Sequence, residues 1–208
     1  MKRAPRRRTR SGAALLAGLL WLATPPPALA HDHRTAQEPS TLSHGATIGA
    51  PFLLMTQERQ PVTDKTFRGD WLLVFFGYTS CPDVCPTTLA TLSEAFARLG
   101  PDAQKVRGLF ITLDPKRDTP EMLRAYMANF SPRITAATGT DDQLAGATRA
   151  FRVRYEIEGD VSKGQYTISH PVALMLFDPH GRFVSLIPGG ASAADVEATV
   201  AGFMRRER

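Results

Sequence analysis

The sequence predicts one α/β domain, a sandwich in which helices flank a central mixed β-sheet that is entered through an N-terminal hairpin. Three observations predict it. Short apolar runs rich in β-branched and aromatic residues alternate with stretches whose apolar residues recur every three or four positions. The last two apolar runs are joined by a tight turn, which makes that pair antiparallel within an otherwise alternating chain. The two cysteines of the 208 residues, Cys81 and Cys85, stand where the first long apolar run gives way to helical periodicity.

The first 30 residues stand apart. Lys2, Arg3, Arg6, Arg7, Arg8 and Arg10 precede a short apolar core from Ala13 to Ala23 and a small-x-small site at Ala28-Leu29-Ala30. This is the pattern of a secretory signal peptide. An apolar run of about eleven residues falls short of the roughly 20 that a bilayer span needs. The expected location is therefore the periplasm, with inner-membrane association if the signal is retained. Six of the 25 basic residues and none of the 20 acidic ones lie in this segment, leaving 19 against 20 beyond it. The net charge of +5 belongs to the leader. Nothing in the remainder suggests nucleic acid as a partner.

Residues 31–46 are polar and without periodicity, a lead-in to a domain spanning 47–208. Ile48 to Thr56 and Gln60 to Thr63 predict the hairpin. Leu72 to Phe76 reads as a strand buried on both faces. Leu89, Leu92, Phe96 and Leu99 follow at helical spacing, with Gly100-Pro101 as the stop. Pro86 lacks the N–H that would bond back to Pro82, so this helix is expected to begin at Pro86, with both cysteines in the loop above it. Val106 to Leu113 is a second buried strand. Thr119 can cap, and Pro120 can open, a helix carrying Leu123, Tyr126, Met127 and Phe130. Ile134 to Ala137 is a third strand. Thr140-Asp141-Asp142-Gln143 is a capping box ahead of Leu144, Ala147 and Phe151. Tyr155 to Ser169 is polar, a hairpin or a long loop. Val172 to Phe177 and Phe183 to Ile187 flank the turn Asp178-Pro179-His180-Gly181, and a helix with Val196, Val200 and Phe203 closes the chain. A dithiol at the first strand–helix turn of such a unit points to a thioredoxin-like fold.

Two cysteines in an exported protein ordinarily form a structural disulfide. A bridge closing so small a loop adds little chain-entropy stabilisation, so reactivity is the better reason for this pair. The start of a helix favours thiolate over thiol, and thiolate is both the metal-binding and the redox-active form. The site should hold a soft metal or cycle through a disulfide. Two thiolates on an adaptable loop suit Cu(I), whereas zinc would want a fourth ligand or an open site. His170, just ahead of the strand Val172 to Phe177, is the candidate third ligand, because in this fold the loop entering that strand passes beside the dithiol. His180 reads as a turn residue, and His44 lies in the lead-in. Asp114, Arg117 and Asp118 follow a strand at the same end of the sheet and are either turn residues or supports that orient the metal loop. Cleavage after Ala30 would expose His31-Asp32-His33, whose amine, two amide nitrogens and third-place imidazole make a square-planar set suited to a separate Cu(II).

The stretch Phe76-Gly77-Tyr78-Thr79-Ser80-Cys81-Pro82-Asp83-Val84-Cys85-Pro86, then Asp114-Pro115-Lys116-Arg117-Asp118-Thr119-Pro120, then a histidine before the next strand, resembles the Sco/SenC family from about Ile48 to the C-terminus. The resemblance implies a thioredoxin-like copper metallochaperone that assembles the CuA centre of cytochrome c oxidase. It implies copper on Cys81, Cys85 and His170 and an oxidase subunit as client, served by a copper donor chaperone and a periplasmic thiol reductant. The alternative is a thiol–disulfide oxidoreductase that reduces the CuA-site cysteines of the apo-subunit, with Cys81 and Cys85 as its redox pair. The chain departs from the family at Ser80, where histidine is usual, at Ser169, where an acidic residue is usual, and at Pro171, where a small hydroxyl residue is usual. None of these removes a ligand, and loss of the acidic neighbour is expected to weaken Cu(II) binding or reorient the histidine.

Overall fold

The computed structural model describes residues 48–49 and 51–207. The expected export segment, the lead-in, the His31-Asp32-His33 motif and His44 lie outside the described residues. The hairpin is β1 (Leu53–Thr56) with β2 (Pro61–Thr63). Then β3 (Trp71–Gly77), α1 (Val84–Leu99), β4 (Val106–Thr112), α2 (Pro120–Met127), β5 (Ile134–Thr138) and α3 (Asp141–Phe151) alternate. A second hairpin, β6 (Glu156–Asp160) with β7 (Gln165–Ser169), forms a two-stranded sheet of its own. β8 (Ala173–Phe177), β9 (Phe183–Pro188) and α4 (Ala193–Arg206) complete the order.

The main sheet runs β2-β1-β5-β4-β3-β8-β9, with β3, β4 and β5 parallel and the other pairings antiparallel. This is the expected mixed-sheet sandwich. All seven residues of β3 are buried, as expected of a central strand covered on both faces. Its consecutive aromatics divide between those faces: Phe75 lies beside Phe110, and Phe76 meets Phe151 of α3 edge-on. Trp71 reaches Phe203 of α4.

Helix starts follow the chemistry in the sequence. The Thr119 hydroxyl accepts from the Met122 N–H with Pro120 behind it, and Thr140 with Gln143 closes both bonds of a capping box. A second capping box, Ser192 with Asp195, opens α4. One boundary is corrected. α1 begins at Val84, two residues before Pro86, so Cys85 lies in its first turn and Cys81 alone in the loop. Proline is tolerated there because the first N–H groups of a helix have no intrahelical partner to lose. Gly100, at φ +55°, ends α1, but the chain continues in a 3-10 turn over Gly100–Lys105 before β4.

The topology brings three chain segments to one edge of the sheet. Gly77 and Thr112 are paired at the C-terminal ends of the parallel strands β3 and β4, so the loops that leave them start side by side. Strand β8 runs antiparallel to β3, pairing Val74 with Met175, which places the residues preceding β8 at that same edge. The β6–β7 hairpin delivers the chain to it.

Candidate metal centre

Cys81, Cys85 and His170 offer ligand atoms that all lie within 4.8 Å of one another. Among the described residues this is the group of His, Cys, Asp and Glu side chains placed to hold a metal ion. Cys85 is fully buried, Cys81 nearly so, and His170 half-buried. Both thiols are free.

Each ligand is positioned by the segment that carries it. The Cys81 N–H donates to the Tyr78 carbonyl at 3.2 Å, which turns the loop back over the end of β3. Cys85 occupies space that only a glycine leaves open, since a Cβ on Gly77 would stand 2.8 Å from its Sγ and 2.9 Å from Phe110. The His170 Nδ1 lies 3.1 Å from the Pro171 carbonyl. A carbonyl can only accept, so Nδ1 carries the proton and Nε2 is left as a bare lone pair. That lone pair lies 3.6 Å from the Cys85 Sγ. The ring stands edge-on to Tyr78 and Phe75, at centroid distances of 6.0 and 6.2 Å.

The electrostatics of the metal-free site correct one expectation. Burial pushes the Cys85 thiol well above its ordinary pKa, and the neighbouring Cys81 adds to the shift. The favourable field at the start of α1 does not prevail over desolvation, because Cys85 faces the interior rather than the helix axis and water. Burial also lowers the pKa of His170, against the smaller opposing pull of the Pro171 carbonyl. Without metal, the site at neutral pH is a thiol at Cys85 facing a neutral imidazole, and a soft cation entering it must displace a proton from sulfur.

The loop after β4 braces this arrangement, which resolves Asp114, Arg117 and Asp118 in favour of support. Asp118 is buried and accepts from the Thr79 N–H at 3.0 Å and from the Thr79 and Thr112 hydroxyls at 2.5 Å each. Burial raises its pKa against those hydrogen bonds. Arg117 forms an ion pair with the buried Asp114, and its guanidinium lies over the rings of Tyr166, at 3.7 Å, and Tyr78, at 5.7 Å. The Tyr166 hydroxyl donates to Asp114 at 2.8 Å. Tyr78 and Tyr166 are the positioning residues that reading the sequence missed. Tyr78 sits inside the cysteine motif, but nothing local marks its hydroxyl, which accepts from the Ile168 N–H at 3.3 Å. His180 is a turn residue, its N–H donating to Asp178. Ser80, Ser169 and Pro171 are exposed.

The donor set fits copper: two sulfurs and one imidazole nitrogen are the ligand types that soft and borderline first-row ions select, with no hard carboxylate among them.

Comparison with known proteins agrees with this chemistry. The SCO1/SenC family profile matches residues 40–205. The chain is 34% identical over 160 residues to the mitochondrial SCO1 homolog of Mus musculus, covering 76% of this chain and 56% of that protein. It is 35% identical over 174 residues to an SCO2-like protein of Rickettsia prowazekii, covering 83% and 82% respectively. The chain thus spans little more than half the length of the mouse relative. Among solved structures, Bradyrhizobium japonicum ScoI with copper bound superposes with a TM-score of 0.70 at 38% identity, over 75% of this chain and 99% of that one. Yeast Sco1 with copper bound gives 0.71 at 30% identity, over 76% and 89%. With the profile covering most of its length, the chain belongs to the SCO1/SenC family.

Proposed function

We propose that this protein is a periplasmic copper metallochaperone that holds one copper ion on Cys81, Cys85 and His170 and passes it to the CuA-bearing subunit of cytochrome c oxidase. The observation that carries the reading is the unprotonated Nε2 of His170 facing the Cys85 sulfur at 3.6 Å. A dithiol meant only for electron exchange has no use for that third donor. The copper-bound bacterial and yeast relatives support the choice of metal. Copper supplies the cargo, and the residues of this chain hold it, exclude water on the Cys85 side and release a thiol proton as it binds. Part of the site stays accessible through the half-buried His170, the side from which a partner could take the ion. Among the described residues no helix is long and apolar enough to cross a membrane; the periplasmic location rests on the leader sequence.

A second reading, reduction of cysteines on the client, is favoured by the two free sulfurs, which lie within 4.8 Å of each other. Both readings need a reductant, because an oxidising compartment closes an unprotected dithiol. Oxidase assembly in cells carrying His170→Ala at limiting copper separates them. Failed assembly, with disulfide reduction of a client peptide retained, supports copper as the cargo. Normal assembly transfers the role to electrons.

A further inference from the structure

The β6–β7 hairpin, which hands the chain to His170, pairs with no strand of the main sheet. Among the described residues, three hydrogen bonds join it to the platform that carries the cysteines: Arg117 Nη1 to the Tyr166 carbonyl at 3.3 Å, the Tyr166 hydroxyl to Asp114 at 2.8 Å, and the Ile168 N–H to the Tyr78 hydroxyl at 3.3 Å. Ile168 is buried and adds an apolar anchor. At the centre lies the Arg117 guanidinium, paired with Asp114 and set over both tyrosine rings, with its Nη2 enclosed and without a hydrogen-bond partner. Tyr78 thus binds both ligand segments, since its carbonyl accepts from Cys81 and its hydroxyl takes the Ile168 amide, two residues before His170.

We infer that Tyr78, Arg117 and Tyr166 form a clasp that seats His170 on the dithiol, and that this clasp sets the preference of the site for Cu(II) over Cu(I). Cu(I) is satisfied by two soft thiolates, whereas Cu(II) gains from the imidazole nitrogen. A hairpin free to swing would take His170 away from the cysteines while leaving them in place, because Cys81 and Cys85 are carried by a different segment braced by Asp118. Loosening the clasp therefore weakens Cu(II) selectively. The planar guanidinium is suited to this place, since it stacks on rings and pairs with a carboxylate at once, which an ammonium does not. The three residues are positioning residues and do not touch the metal.

The inference rests on copper binding by Cys81, Cys85 and His170, and the experiment keeps the two apart. Cu(I) and Cu(II) affinities are measured by competition for wild type, Tyr78→Phe, Arg117→Gln, His170→Ala and each clasp variant combined with His170→Ala. Amide exchange at Ile168 is followed in the metal-free protein. Tyr78→Phe keeps the ring and removes only the hydroxyl, so it folds even if Arg117→Gln does not. Tyr78→Phe is expected to weaken Cu(II) roughly 10-fold, the lower end of what supporting partners of a metal ligand are worth. It should leave Cu(I) near wild type and speed exchange at Ile168. In the His170→Ala background it should change neither affinity further. Equal weakening of both ions, or an undiminished effect without His170, overturns the clasp while leaving the copper site intact. Cu(II) affinity unmoved by His170→Ala overturns the three-ligand site itself, and the clasp with it.

Discussion

Cys85 and His170, 85 positions apart in the chain, meet with sulfur and Nε2 3.6 Å apart. The contact is an S–H facing a lone pair, because burial keeps the Cys85 thiol protonated and the Pro171 carbonyl holds the imidazole proton on Nδ1. A metal entering between them meets one donor that must shed a proton and one that is ready.

Copper binding should consequently release protons. The pKa of Cys85 is raised, so its thiol is still protonated at neutral pH, and each Cu(I) bound there displaces that proton. Affinity then rises with pH, by about tenfold per unit for each proton displaced. Because burial lowers the pKa of His170, competition from imidazolium begins only below the ordinary histidine range. Calorimetry in buffers of different ionisation enthalpy counts the protons. Release of none at pH 7 would contradict the assignment.

Gly77→Ala tests the packing under the site. The added methyl must displace the Cys85 sulfur or the Phe110 ring, both within 3 Å of it. The expected cost is about 1–3 kcal/mol of stability, as for overpacked cores, together with weaker copper binding. Denaturant titration with and without Cu(I) reads both. A variant as stable as wild type with undiminished affinity would show that Cys85 has room to spare.

Asp118→Ala removes the acceptor for the Thr79 amide and for the Thr79 and Thr112 hydroxyls. Each buried donor left unpaired costs roughly 1–3 kcal/mol. The variant should lose stability in the metal-free state and bind copper more weakly through a loosened Cys81 loop. Copper binding that survives full loss of this brace would mean that the loop is ordered by the metal instead.

Much of this was legible in the sequence, and the reasons differ by element. Thr119-Pro120 and Thr140 with Gln143 declare their helices because capping is local chemistry. The dithiol is legible because its residues are adjacent in sequence. His170 became a candidate only through the fold, since its approach depends on the antiparallel pairing of β3 with β8. The start of α1 at Val84 is not legible, because a proline anywhere in the first turn removes no hydrogen bond and so does not mark which position it occupies. Tyr78 and Tyr166 stayed hidden because their partners lie 90 and 52 residues away, and no local pattern records such a pairing.

The export leader proposed for residues 1–30 makes a prediction of its own. If cleavage follows Ala30, the exported protein begins His31-Asp32-His33 and should bind a second, Cu(II)-specific ion with a square-planar nitrogen spectrum. Mass spectrometry of the exported chain decides the first step, and any other N-terminus removes the site.

Copper binding by reduced protein is the decisive test of the site formed by Cys81, Cys85 and His170. Wild type is predicted to take up one Cu(I) per chain. Cys81→Ala or Cys85→Ala should abolish that binding, and His170→Ala should weaken Cu(II) and alter its spectrum while sparing most of the Cu(I) affinity. Copper affinity unchanged in all three variants would mean that these side chains do not hold the ion.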